Sequence, residues 1–230
     1  MINVYKNVYA FITPSEFLKK KLSLNGFEEK RIHCIPTFTA SKTTIGKQQI
    51  GSYGLYFGRV TEEKGVETVI KAYEKLPEYT VKIMGDDTTD EAKRLKKYVE
   101  NHKMKNVEFL GFKSGAELEN VIKGARFTLI PSIWYDNLPN TALESFQYSK
   151  PVIASNIGSL PELVIDGENG YLFKPSNVED LIKKIKMLDD DTLVKKMGQA
   201  SRKRLESRFA PQTHYEDLMK IFNEAVKSRK

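Results

Sequence analysis

The chain has 230 residues, about one and a half domains by length, and carries 37 Lys and Arg against 30 Asp and Glu for a formal net charge of +7. With 40% hydrophobic and 29% charged residues it has ordinary globular composition, which excludes disordered, collagen-like and coiled-coil chains. A lone cysteine, Cys34, excludes an internal disulfide framework and points to a reducing compartment, and neither a membrane-length apolar run nor a secretory signal pattern is present.

Apolar β-type runs alternate with longer runs of helical period. A strand is expected over residues 8–13, a helix over 16–24 and a strand over 32–35. Residues 37–52 are polar and read as a linker, including the Gly46-Lys47 pair. Strands then follow over 54–57, 80–84, 107–110, 127–130, 152–154 and 170–173. From Gly54 to Ala154 these strands are apolar on both faces, as a buried parallel sheet requires. Val66, Val69, Ile70, Tyr73 and Leu76 recur at helical spacing between them, as do Leu118, Val121 and Ile122, and later Leu181, Ile182, Ile185 and Leu188. Three helices end the chain, over 178–188, 192–207 and 212–227, with Pro211 in the first turn of the last. The expected class is α/β: a doubly wound, Rossmann-like parallel sheet with right-handed crossovers.

The positive charge gathers at Lys19-Lys20-Lys21, 93–97, 183–186 and 195–208. These runs read as solvated helix faces, or as a field that attracts an anionic ligand or an acidic lipid surface. Nucleic acid is not an expected partner, because no finger, RNP or helix-turn-helix signature is present.

Three loops follow expected strands and open helices, the positions where an open α/β sheet binds ligands. In Gly58-Arg59-Val60-Thr61-Glu62-Glu63-Lys64-Gly65, free amides and the helix dipole favour an anion, and Arg59 and Lys64 add two cations. The loop is neither GxGxxG nor a P-loop, so dinucleotide and NTPase readings lose their support. The stretch Pro131-Ser132-Ile133-Trp134-Tyr135-Asp136-Asn137-Leu138-Pro139-Asn140-Thr141-Ala142-Leu143-Glu144 places Asp136 in a loop. It sets Glu144 on a helix begun by Pro139 and running to about Ser149. Amides from Asn140 to Ala142 are expected to be free there, beside carboxylates that can bind a polyol. In Ser155-Asn156-Ile157-Gly158-Ser159-Leu160-Pro161-Glu162 the strand, glycine turn and helix recur, and Asp166-Gly167-Glu168-Asn169-Gly170 reads as a tight turn. Each stretch also has a plain structural reading, as a charged turn, an exposed helix face or turn chemistry. His33, His102 and His214 are scattered without ligand spacing, so no metal is expected. Ser132 and Ser155 lack a nucleophile elbow. Cys34 reads as a core residue, and Trp134-Tyr135 as a stacking platform or a loop anchor.

Taken in order, Gly58-Arg59…Glu63-Lys64-Gly65, Pro131-Ser132…Asp136 with Glu144 eight positions on, Gly158…Pro161-Glu162 and Asp166-Gly167…Asn169-Gly170 resemble a known pattern. It is that of family 4 (group 1) retaining glycosyltransferases, in the nucleotide-sugar-binding C-terminal half of the GT-B architecture. The resemblance covers residues 52 to about 207. It implies that Arg59 and Lys64 neutralise the donor diphosphate, that Glu144 binds the ribose and that Asp136 binds hydroxyls of the transferred sugar. Gly58 and the backbone from Asn137 through Asn140 and Thr141 to Ala142 would face sugar and phosphates, and Gly111-Phe112 the base. It further implies no cofactor or metal, an oxocarbenium-like transition state, acceptor attack on the leaving-group face, and the departing phosphate as proton acceptor. Two departures stand out: Asp136 replaces the usual Glu, and an N-terminal acceptor domain of comparable size is missing.

The resemblance divides the chain into an edge of that domain with its linker (1–51), a donor-binding domain (52–208) and a helix crossing back to the missing domain (209–230). That helix carries Tyr215, Leu218, Met219, Phe222 and Val226 on one stripe. The expected partners are a UDP- or GDP-sugar donor, a saccharide or lipid-linked acceptor and the missing N-terminal domain. The expected role is bacterial surface polysaccharide synthesis, in the cytoplasm or peripherally at the inner face of the membrane. An isolated chain is expected to bind donor with little transfer. A GT-B-like epimerase or phosphorylase and a non-catalytic interaction module are the alternatives.

Overall fold

Strands apolar on both faces need cover on both sides, and the chain supplies it from flanking helices. The computed structural model describes residues 2–5, 7–39 and 49–228. Most of the expected linker, with Gly46-Lys47, lies outside the described residues.

The first piece is small. A 3-10 turn, Ile2–Tyr5, precedes β1 (Phe11–Thr13), α1 (Glu16–Leu24), a second 3-10 turn and β2 (Ile32–Cys34), and β1 and β2 pair in parallel. The expected strand over 8–13 is only its last three residues, because the Val8 amide turns back to the Tyr5 carbonyl at 3.1 Å. Ile12 is 44% exposed and Val4 78%, so this piece buries little of its own apolar surface. It is tied down through neighbours: Thr39 N donates to Phe209 O at 3.3 Å, and His214 Nδ1 lies 2.8 Å from Pro36 O.

The second sheet runs through β3 (Tyr53–Phe57), β4 (Thr80–Met84), β5 (Val107–Gly111), β6 (Ala125–Ile130), β7 (Val152–Ser155) and β8 (Gly170–Phe173). All pairs are parallel, in the order β5-β4-β3-β6-β7-β8. The connecting helices are α2 (Val66–Glu74), α3 (Asp90–Asn101), α4 (Gly115–Gly124), α5 (Asn140–Gln147) and the single turn α6 (Leu160–Leu163). Three more close the chain: α7 (Val178–Lys186), α8 (Asp191–Arg208) and α9 (Pro211–Lys227).

Strand alternation sorts the core into two faces. Tyr56, Ile83, Leu129 and Ile153 pack with α2, α3 and α7 on one side. On the other, Ile130, Val152 and Ala154 meet Phe146, Leu163 and Leu205, while Leu55, Phe57 and Met84 meet Ile122. The sheet is therefore doubly wound and Rossmann-like, as expected.

Not all the basic residues are solvated. The Lys150 side chain is 1% exposed, and its ammonium donates to the carbonyls of Gln49, Lys123 and Ala125 at 2.6–2.7 Å. Burial pushes its pKa down to about 8. In α8, Arg202 Nη1 donates to Gln147 O at 2.9 Å and Arg204 to Glu162 O, tying that helix to α5 and α6. On α9 the apolar stripe divides: Tyr215, Phe222 and Val226 are exposed, and the helix buries Ile221 instead.

Candidate functional site

The strand order reverses between β3 and β6, and a crevice opens where their outgoing loops separate. Those two loops carry the first two motifs. They meet at Gly65, whose φ of +67° is left-handed and whose added Cβ would lie 2.1 Å from Pro131 O. The Ile133 amide donates to Glu63 O at 3.0 Å, so the loops are joined by backbone as well.

The crevice has two adjoining lobes. One, of about 320 Å³, is walled by Phe57, Met84, Leu118 and Phe112, with Glu144 in its lining. The other, of about 240 Å³, is lined by Tyr56, Lys64, Ser132, Asp136, Asn137 and Asn140. Gly58, Arg59 and Thr141 line both. Nine expected site residues thus share one crevice. Ala142 and Gly111 do not line it. Ala142 is fully buried and its amide donates to Pro139 O at 3.1 Å, a first-turn bond that removes it from the expected set of free amides. Gly111 has a φ of +68° and lies beside Asp87, while Phe112 projects with 74% exposure.

Charge is distributed unevenly in the crevice. The Lys64 ammonium pairs with Asp136 Oδ1, and Ser132 Oγ donates to Asp136 Oδ2. Lys64 and Asp136 are 19% and 11% exposed, so this pair is shielded from water. Arg59 is 73% exposed, and its nearest carboxylate, Glu63, is 3.9 Å away. The Tyr56 hydroxyl donates to the Arg59 carbonyl, and burial first, with Asp136 next, raises its pKa. Burial raises the Glu144 carboxyl as well. A desolvated carboxylate on a helix is not the exposed helix Glu of the plain reading, and it gains from any hydroxyl brought to it.

The loop that carries Asp136 is held from outside the crevice. Ser159 Oγ donates to Asp136 O at 2.7 Å and accepts from Leu138 N at 2.7 Å, with Leu138 in the left-handed region at φ 57°. Gly158 lets these segments touch: its φ is +62°, and a Cβ there would lie 3.0 Å from Asp136 O. Ser15 caps α1 by accepting from Leu18 N at 3.2 Å and donates to Asn137 Oδ1 at 2.7 Å. That bond orients the carboxamide and leaves its N–H groups for the crevice.

Glu162 does not reach the crevice. Its carboxylate accepts from the amides of Glu16 and Phe17 at 2.8 and 2.6 Å, at the positive end of α1. The Asp166–Gly170 segment is a turn: buried Asn169 accepts from Ile165 N at 2.7 Å and Asp166 from Leu172 N at 2.7 Å. Tyr135 anchors the loop, its ring 5.1 Å from that of Phe17, while Trp134 is 64% exposed. Cys34 is half-buried rather than in the core, with burial and then Glu16 pushing its thiol up to about 12. Nothing in the sequence marks Ser15, Ser132 and Ser159 as anchors: only Ser132, four positions from Asp136, is near the residues they hold.

A family model described as Glycosyl transferases group 1 matches residues 41–204. An uncharacterized glycosyltransferase of Methanocaldococcus jannaschii is 30% identical over 174 residues, which are 75% of this chain and 48% of that protein. A glycogen synthase of Mycobacterium tuberculosis is 31% identical over 186 residues, covering 76% of this chain and 42% of its own length. The chain spans about half the length of these curated relatives. Anabaena HepE, solved in complex with UDP, shares the fold with a TM-score of 0.87 at 21% identity, over 97% of this chain and 66% of that one. A family model that covers most of the chain, over a doubly wound sheet shared with GT-B glycosyltransferase structures, establishes that the chain belongs to the group 1 glycosyl transferases.

Proposed function

We propose that this chain binds a nucleoside diphosphate sugar, UDP- or GDP-linked, and supports retaining transfer of the sugar to a saccharide or lipid-linked acceptor. One observation carries the reading: Arg59 and Lys64 meet Asp136 and Asn137 in a lobe that adjoins the apolar lobe holding Glu144. The apolar lobe suits a nucleoside, with Glu144 accepting from ribose hydroxyls. The charged lobe suits diphosphate and sugar, with Asp136 and the Asn137 carboxamide toward the sugar. UDP bound to a protein of the same fold supports the nucleotide class.

The chemistry follows from the charges. Breaking the bond from sugar to phosphate builds negative charge on the leaving diphosphate and positive charge on the ring. In this reading Arg59 and Lys64 offset the first without a metal ion, and Asp136 is assigned to the second. The departing phosphate takes the proton of the incoming hydroxyl, so this lobe has no general base to supply.

Domain division into an edge of an acceptor half (1–51), a donor domain (52–208) and a returning helix (209–230) belongs to the same proposal. So does a role in surface polysaccharide synthesis in the cytoplasm or at the inner membrane face, which exposed Lys20 and Lys21 support through attraction to anionic lipid. Among the described residues no helix is long and apolar enough to cross a membrane. Release of nucleoside diphosphate from UDP-glucose or GDP-mannose in the presence of acceptor tests the reading. In the full-length enzyme, Glu144→Ala is expected to slow transfer at least about a hundredfold, and near-normal turnover refutes its role.

A further inference from the structure

We propose that Asp136 is a specificity residue that selects the intact donor over the nucleoside diphosphate left after transfer, by holding Lys64 as a stand-in anion. The proposal rests on the donor-site reading above and goes beyond it.

Both carboxylate oxygens of Asp136 are engaged within the crevice, Oδ1 by Lys64 and Oδ2 by Ser132. The two cations of the charged lobe are therefore not equivalent. Arg59 stands in solvent with only a loose neighbour in Glu63, whereas Lys64 is shielded and already neutralised. A phosphate that reaches Lys64 arrives beside a carboxylate held in place by Ser132 on one side. Ser159, through the Asp136 carbonyl, keeps the backbone from retreating on the other.

The two candidate occupants differ in charge at that point. In a sugar nucleotide the terminal phosphate is esterified and carries a single charge. Once the sugar has left, the same phosphate gains a second ionisation with a pKa of about 6 and is doubly charged at neutral pH. With the sugar attached, hydroxyls lie where Asp136 can accept from them. With the sugar gone, the carboxylate faces the extra phosphate charge across a shared lysine, and like charges in a partly desolvated site repel. The arrangement thus favours release of the product and re-entry of fresh donor. A neutral amide at position 136 keeps the shape and the Ser132 contact but removes the repulsion.

The test is titration calorimetry of wild type, Asp136→Asn and Asp136→Glu with UDP and UDP-glucose, and in parallel with GDP and GDP-mannose. Asp136→Asn is expected to bind the free diphosphate about tenfold more tightly while binding the sugar nucleotide no better. Asp136→Glu, which restores the charge, is expected to keep the wild-type ratio. The methyl ester of UDP or GDP, which lacks both the sugar and the extra charge, should bind wild type more tightly than the free diphosphate does, and Asp136→Asn should bind the two alike. Nucleotide binding by all proteins with an unchanged ratio between diphosphate and sugar nucleotide overturns the proposal and leaves the donor site standing. Absence of nucleotide binding by wild type overturns both.

Discussion

The Ser15 hydroxyl and the Asn137 carboxamide, 122 residues apart in sequence, are 2.7 Å apart in space. The same hydroxyl caps α1 by accepting from Leu18 N, so the helix that precedes the linker and the loop that carries Asp136 share one side chain. Ser15→Ala removes the cap, at a cost of about 1 kcal/mol in stability, and frees Asn137 to turn. Its expected signature is a few-fold weaker affinity for UDP-glucose or GDP-mannose, with binding of the free diphosphate unchanged. Calorimetry on the variant checks it, and equal weakening of both ligands would place Ser15 outside sugar positioning.

Glu162 holds the other side of α1. Removing its carboxylate strips two amides of their acceptor at the positive end of the helix. Glu162→Ala is expected to destabilise that segment by about 1–3 kcal/mol, and Glu162→Gln, which keeps an acceptor, by less. Hydrogen exchange at the Glu16 and Phe17 amides reads this directly: protection should fall there while the strands of the large sheet keep theirs.

The large sheet was legible because its strands are buried on both faces and bounded by glycine and proline. β4 and β8 coincide with their expected ranges, and β3, β5, β6 and β7 differ by one or two residues at an end. α3 was visible only as the charge run 93–97, since it buries just Ala92, Leu95 and Val99, too few for an apolar stripe. The cleft residues were legible because they lie in loops that follow strands or in the helix that such a loop opens. What holds them was not. Ser15 and Glu162 act through contacts more than a hundred residues distant, and the carbonyls around Lys150 come from two separate stretches, Gln49 and the Lys123 to Ala125 segment. A hydrogen bond made by tertiary approach leaves no period in the sequence.

Glu144 trades stability for its place in the crevice. Burial raises its pKa, so between the unfolded and folded values the folded state binds more protons than the unfolded. Stability from this group is therefore present at low pH and declines as pH rises through the folded value. Glu144→Gln removes the penalty, and the ligand-free variant should melt about a degree higher at pH 7. The gain should vanish below the ordinary carboxylate range, near pH 4. Melting curves across that range check the sign, and a variant that melts lower at pH 7 contradicts it.

Gly158 admits no side chain without displacing the Asp136 loop. At φ +62° an alanine is strained, and its Cβ would press on Asp136 O at 3.0 Å. Gly158→Ala is expected to cost about 1–2 kcal/mol and to weaken sugar-nucleotide binding as Asp136 shifts. Denaturant melts together with calorimetry distinguish a local shift, which affects both, from strain alone, which affects only stability.

A diphosphate site formed by Arg59 and Lys64 has a direct readout in calorimetry of the chain with UDP and GDP. Wild type should bind at least one of them. Lys64→Ala should weaken that binding about tenfold or more, and Arg59→Ala should weaken it less and flatten its salt dependence, as suits an exposed cation. Affinities for UDP and GDP that are the same in wild type and both variants would contradict the account.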